Sequence, residues 1–164
     1  MIAVQQEQEE TGEGLGCKHY KRACLMQCPS PICAGKFYPC RLCHDEVHLE
    51  AELDQKKNHQ LDRFKVTKIK CLRCGTEQEK SQTCIECKED FAEYFCEVCC
   101  LYDNKGKQKK VFHCEGCGIC RVGGRENFFH CDACECCLGL ALKENHKCKK
   151  AVFKQECPIC MMDM

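Results

Sequence analysis

The stretches VFHCEGCGIC (111–120) and FFHCDACECC (128–137) each pack one histidine and three or four cysteines into ten residues, and only seven residues separate them. Thiolate and imidazole at that density share one chemistry, the binding of a borderline-soft cation such as zinc, at about 2.3 Å for sulfur and 2.0–2.1 Å for nitrogen. The pattern runs along the chain: nine CxxC pairs occur, at 40/43, 71/74, 84/87, 96/99, 114/117, 117/120, 131/134, 134/137 and 157/160. Two thiolates at this spacing fit one tetrahedral ion, with backbone N–H groups of the turn pointing at the sulfurs. One pair alone fits a thioredoxin-like couple equally well. Nine pairs point to zinc before disulfides or iron–sulfur clusters, and so do the odd count of 23 cysteines and the seven histidines among them.

The elements that hold these ligands cannot rest on a large apolar core. Cysteine is one residue in seven of the 164, while Leu, Ile, Val and Phe together make up just under a fifth. That is the range in which burial struggles to offset conformational entropy. The expected fold is therefore small, metal-stabilised and irregular, with short β hairpins, stacked zinc knuckles and little helix. The N-terminal MIAVQQEQEETGEG has four glutamates, no basic residue and no apolar run. It is not a secretory signal, and no later run is long enough to span a membrane. An intracellular, reducing setting, nucleus or cytoplasm, is expected, where disulfides do not persist. Net charge is zero. The lysine-rich KGKQKK at 105–110 reads as a solvated hairpin tip rather than a phosphate-binding patch, so nucleic acid is not the expected partner and neither is a membrane.

Along the chain, residues 1–16 read as a disordered acidic tail. Cys17 to Cys43 is dense in ligands and opens with a two-ligand CxH. The segment 44–66 is the one stretch of helical composition, a charged loop or short helix. CLRCGTEQEKSQTCIEC, 71–87, is a compact four-cysteine unit of the zinc-ribbon kind. Three cassettes follow, YFCEVCC at 94–100, FHCEGCGIC at 112–120 and FHCDACECC at 129–137, closed by HKC at 146–148. A knuckle with three or four ligands cannot close all of them on one ion without strain, so each cassette must share ligands with its neighbours. Zinc ions then sit between successive turns, and the repeat is a stack. Phe95, Phe112 and Phe129 are expected to pack between the rungs.

These residues resemble the RING and CHY zinc-finger ubiquitin ligases. CKHYKRAC with CRLCHDE, HQLDRFKV and the four-cysteine unit is similar to the CHY-type finger, over 17–87. The cassettes with NHKC are similar to the CTCHY-type finger, over 94–148, and the terminal ECPIC resembles the opening of a RING finger, over 157–164. The resemblance implies three zincs in each of the first two parts, about six Zn2+ in all. It implies Cys17, His19, Cys33, Cys40, Cys43, His44, His59, Cys71, Cys74, Cys84 and Cys87 as CHY ligands. Where the family has an adjacent cysteine pair this chain has Cys33 and Ala34, so the twelfth ligand is Cys28 or Cys24, with Cys28 favoured. His48, in a lengthened loop, reads as a surface histidine. For the second part the implied candidates are Cys96, Cys99, Cys100, His113, Cys114, Cys117, Cys120, His130, Cys131, Cys134, Cys137, His146 and Cys148, one more than twelve. Cys100 stands where relatives carry histidine, and Cys136 looks surplus.

In function the resemblance implies the zinc-binding, substrate-recruiting portion of a RING-type E3 ubiquitin-protein ligase. Its partners would be the ligase's protein substrate and, through a complete RING, an E2 conjugating enzyme. A RING carries no nucleophile or general base; it binds and orients the charged E2. Only Cys157 and Cys160 of its eight ligands occur here, so this stretch is expected to lack transfer activity of its own. The alternative is a zinc-dependent protein-binding module without ubiquitin chemistry.

Overall fold

The computed structural model describes residues 15–50 and 58–149; most of the acidic stretch, residues 51–57 of the charged segment and the ECPIC run lie outside the described residues. Cys24–Gln27 (β1) pairs antiparallel with Phe37–Tyr38 (β2) and with Lys68–Cys71 (β3), and β3 pairs with Glu77–Glu79 (β4). In β1, Cys24 and Met26 are buried while Leu25 and Gln27 are half-buried. That period of two aims one face of the sheet at a small core of Ala23, Met26, Leu61, Val66, Ile69, Phe91 and Tyr102. Arg41–Asp45 (α1) starts on Cys40, whose sulfur accepts the N–H of Cys43, and continues into a wider π turn over Glu46–Glu50. The charged segment is thus helical at its beginning, and its middle lies outside the described residues.

Three hairpins follow: Tyr94–Cys96 (β5) with Leu101–Asp103 (β6), Phe112–Cys114 (β7) with Ile119–Arg121 (β8), and Phe128–Cys131 (β9) with Cys136–Gly139 (β10). Their registers are equivalent. His113 faces Cys120 across the second hairpin and His130 faces Cys137 across the third. At the same place in the first hairpin stand Phe95 and Tyr102. These rings stack, with centroids 4.7 Å apart, and Tyr102 meets Phe91 edge-on at 6.1 Å. The first rung thus carries an apolar pair where the others carry candidate metal ligands, and this pair seats the stack on the core of the first part. The Tyr102 hydroxyl donates to the Ser81 carbonyl at 2.9 Å, and the Asn104 N–H to that of Lys21 at 2.9 Å, which strengthens the joint.

Phe95 therefore belongs to the core rather than lying between rungs. Phe112 lies 5.9 Å from Phe128 of the next hairpin, and Phe129 lies 5.5 Å from His146. The lysine run forms turns linking the first and second hairpins, and it is not a free tip. Lys109 Nζ reaches buried Asp103 at 2.6 Å and Lys110 reaches Glu126 at 3.0 Å.

Candidate metal centres

Six groups of cysteine and histidine converge among the described residues. The first is Cys17, His19, Cys40 and Cys43; the second Cys28, Cys33, His44 and His59; the third Cys71, Cys74, Cys84 and Cys87. The fourth is Cys96, Cys99, His113 and Cys120, and the fifth Cys114, Cys117, His130 and Cys137. In the sixth, Cys131 Sγ lies 3.7 Å from Cys148 Sγ and 3.2 Å from His146 Nε2, with Cys134 beside them.

Strand geometry explains the partition. Successive side chains of a strand point to opposite faces, so the His113–Cys114 step sends the imidazole to the fourth centre and the thiolate to the fifth. His130–Cys131 splits likewise between the fifth and sixth. In the first part, Cys43 and His44 are adjacent on α1, and one serves the first centre while the other serves the second. Among the described residues, two CxxC pairs are split between groups. Cys117 and Cys120 serve different centres, as do Cys134 and Cys137.

The donor sets fit zinc. Four ligands placed 2.0–2.3 Å from one ion form a tetrahedron with edges of about 3.3–3.8 Å. In the third centre Cys71–Cys87 and Cys74–Cys84 are 3.8 and 3.6 Å apart. In the first, His19 Nδ1 lies 3.4 Å from both Cys40 and Cys43. In the fourth, His113 Nδ1 lies 3.5, 3.4 and 3.7 Å from Cys96, Cys99 and Cys120. Spare ring nitrogens of the first two centres meet carboxylates. His44 Nδ1 donates to Asp45 Oδ1 at 2.9 Å, and that oxygen also accepts the Leu61 N–H at 2.8 Å. His19 Nε2 faces Glu46 Oε1 at 3.2 Å. Such partners fix the tautomer and leave the other nitrogen for the metal. Knuckle N–H groups reach sulfur as well, Cys43 to Cys40 at 3.3 Å and Cys99 to Cys96 at 3.5 Å.

The described cysteines outside the groups, Cys24, Cys100 and Cys136, are buried like apolar residues. Cys24 and Cys100 are both about 1 % exposed in the core, and burial pushes their thiols up to about 12 and about 11. Cys100, a candidate ligand in the sequence, joins no group. It follows the second cysteine of its knuckle with φ of 45°, the left-handed place that Gly75 and Gly118 fill after Cys74 and Cys117. Its side chain lies in the core cluster, apart from the fourth group. Cys136 is buried opposite Cys131 in the third hairpin and stays outside the sixth centre. By contrast, Cys74 of the third centre is lowered to about 6 by hydrogen bonds from the Thr76 hydroxyl and N–H.

His48 is not a surface histidine. Its Nε2 lies 2.8 Å from the Tyr38 hydroxyl and 3.5 Å from Cys33 Sγ, beside the second centre. HDEVH, a histidine pair four residues apart, is the signal in the sequence that points there. A cleft of about 400 Å³ opens at the joint between core and stack, lined by Tyr20, Leu42, Arg63, Leu101, Arg121 and Val122 among others. Among the described lining residues the one carboxylate, Asp103, is paired with Lys109, and Arg63 and Arg121 stand beside apolar Leu42, Leu101, Val111 and Val122. No helix of the described residues is long and apolar enough to cross a membrane.

Comparison with known proteins agrees with this geometry. Residues 17–94 match the CHY zinc finger family. The chain is 43 % identical over 147 residues to the rice protein named E3 ubiquitin-protein ligase SRFP1, covering 90 % of this chain and 52 % of that protein. It is 44 % identical over 155 residues to another rice protein, probable E3 ubiquitin-protein ligase RZFP34, covering 93 % and 50 %. It is also 37 % identical over 150 residues to the Arabidopsis thaliana zinc finger protein BRUTUS, covering 88 % of this chain and 11 % of the relative. The chain thus spans about half the length of the first two relatives. Residues 17–94 belong to the CHY zinc finger family, and along nine-tenths of its length the chain is a relative of proteins named as E3 ubiquitin ligases.

Proposed function

We propose that residues 17–148 are the zinc-held, client-recruiting portion of a RING-type E3 ubiquitin-protein ligase, and that transfer belongs to a complete RING including Cys157 and Cys160. Twenty-four side chains are assigned as ligands, namely those of the six groups, with six Zn2+ as structural ions. The observation that carries the reading is the interlock of the centres. Adjacent residues would feed different ions, so the three hairpins would hold together as one stack, which the Phe95–Tyr102 pair seats on the core, and the cleft at that joint has the mixed apolar and basic lining of a protein-binding surface. Relatives named as ligases give the chemistry that such a surface would serve. Zinc here stabilises the fold and orients nothing reactive.

The reading is tested by reconstitution with activating enzyme, several E2 enzymes, ubiquitin and ATP, beside pull-downs of clients of the longer protein. The 164-residue chain should capture a client, lose it on chelation or on Arg63→Glu with Arg121→Glu, and build no ubiquitin chains. Chain formation would overturn the division of labour. Client capture that no form of the longer protein converts into ubiquitination would favour a binding module without ligase chemistry.

A further inference from the structure

The second centre holds more donors than one tetrahedral ion can use. Cys33 Sγ lies 3.4 Å from His44 Nε2, 3.5 Å from His48 Nε2 and 3.3 Å from His59 Nε2. His44 and His59 approach each other at 3.2 Å, and Cys28 Sγ lies 3.6 Å from His59 Nε2. The three imidazoles surround a common point, with ring centroids 4.5, 4.7 and 4.8 Å apart. Every one of these ligand-atom separations falls within or close to the edges of a zinc tetrahedron, about 3.3–3.8 Å. Cys33, His44 and His59 thus have two candidates for the fourth place: Cys28, whose sulfur converges with them, and His48, whose Nε2 lies 3.5 Å from Cys33 and whose ring stands 4.5 and 4.7 Å, centroid to centroid, from those of His44 and His59.

Local structure explains how His48 arrives there. His44 and His48 stand four residues apart on the continuous turn from α1 into Glu46–Glu50, so both rings fall on one face. The Tyr38 hydroxyl, 2.8 Å from His48 Nε2 and 3.3 Å from Cys33 Sγ, holds the ring at the rim of the centre. Among the six centres, this alone has a histidine in that position outside its own group, since the other six histidines are each a member of a group.

We infer that His48 is an alternate zinc ligand, and that the second centre exchanges Cys28 for His48 without losing its ion. The exchange is a substitution with no change of oxidation state. The Zn–Sγ bond to Cys28 breaks and its sulfur takes a proton from water, while Nε2 of neutral His48 forms the new bond and gives up its contact with Tyr38. The centre passes from two thiolates and two imidazoles to one and three, and becomes one charge more positive. The inference rests on zinc occupying the centre and is independent of any ubiquitin chemistry.

The test counts zinc by native mass spectrometry in the full 164-residue chain. Cys28→Ala and His48→Ala should each keep six ions, and the double variant should keep five. Cys17→Ala, in a centre with no spare donor, should keep five by itself. Cys28→Ser repeats the first arm with less change in packing. After cobalt exchange, Cys28→Ala should retain tetrahedral bands while its thiolate-to-cobalt charge-transfer intensity falls by one thiolate. Five ions in both Cys28 variants, or six in the double variant, overturns the inference. So does a Cys28→Ala chain whose cobalt spectrum does not respond to His48→Gln, because a histidine that merely packs beside the centre would leave the spectrum unchanged.

Discussion

His130 and Cys131 are joined by one peptide bond and lie in different candidate centres: His130 Nδ1 lies 3.3 Å from Cys117 Sγ, while Cys131 Sγ lies 3.2 Å from His146 Nε2. The alternation of side chains in β9 makes this division unavoidable. A perturbation at one centre should thus be carried along the strand to the next.

Cys117→Ser and Cys74→Ser should differ in reach. Cys117 lies in the middle hairpin, whose strands supply ligands to the fourth and fifth centres, whereas the third centre draws all four ligands from 71–87. Amide NMR shifts should change across the three hairpins for Cys117→Ser and remain within 71–87 and its sheet for Cys74→Ser. Equally local changes would show that the rungs are not coupled. Complete chelation should unfold the chain, since each structural zinc contributes on the order of 10 kcal/mol at neutral pH.

Gly116 and Gly118 make a paired test. A Cβ on Gly116 would stand 2.5 Å from the His130 ring, while a Cβ on Gly118 meets nothing within 4 Å. Gly116→Ala should push His130 off the fifth centre and lower the zinc count by one. Gly118→Ala, at φ of 66°, should keep every zinc and cost about 1 kcal/mol of backbone strain. Zinc stoichiometry with a thermal melt separates the two.

Cys100→Ala should leave the zinc count at six and destabilise by about 1 kcal/mol, the scale for trimming one buried heavy atom. Cys99→Ala, one residue earlier, should remove the ion of the fourth centre. Loss of zinc from Cys100→Ala would return Cys100 to the ligands.

Stability should fall as pH drops below the ordinary histidine range. Burial lowers the pKa of His44 from 6.5, against the opposing pull of Asp45. Below 6.5 the unfolded chain takes up a proton that the folded chain refuses, so the folded state loses ground as pH falls and keeps its full margin above. Zinc binding has the same sign, because the ligand nitrogen must be unprotonated. Zinc retention titrated downward from neutral pH should fall with this sign, and retention that rises on acidification would contradict it.

The metal-held class, the near absence of a large core and the stacked cassettes were legible in the sequence, because a CxxC turn is local and its repetition at close spacing leaves few ways to close the coordination. The four-cysteine unit at 71–87 is complete within its own segment, so no distant contact is needed to read it. What spacing could not decide was which donors meet. Cys117 and Cys120 look like one chelating pair and are divided by the register of a hairpin. Cys100 looks like a ligand and its side chain lies in the core cluster. His48 looks like a loop residue and is brought to Cys33 by a helix that widens into a π turn. The tertiary structure made those choices, because the direction of each Cα–Cβ bond depends on backbone conformation and strand pairing, and sequence distance records neither.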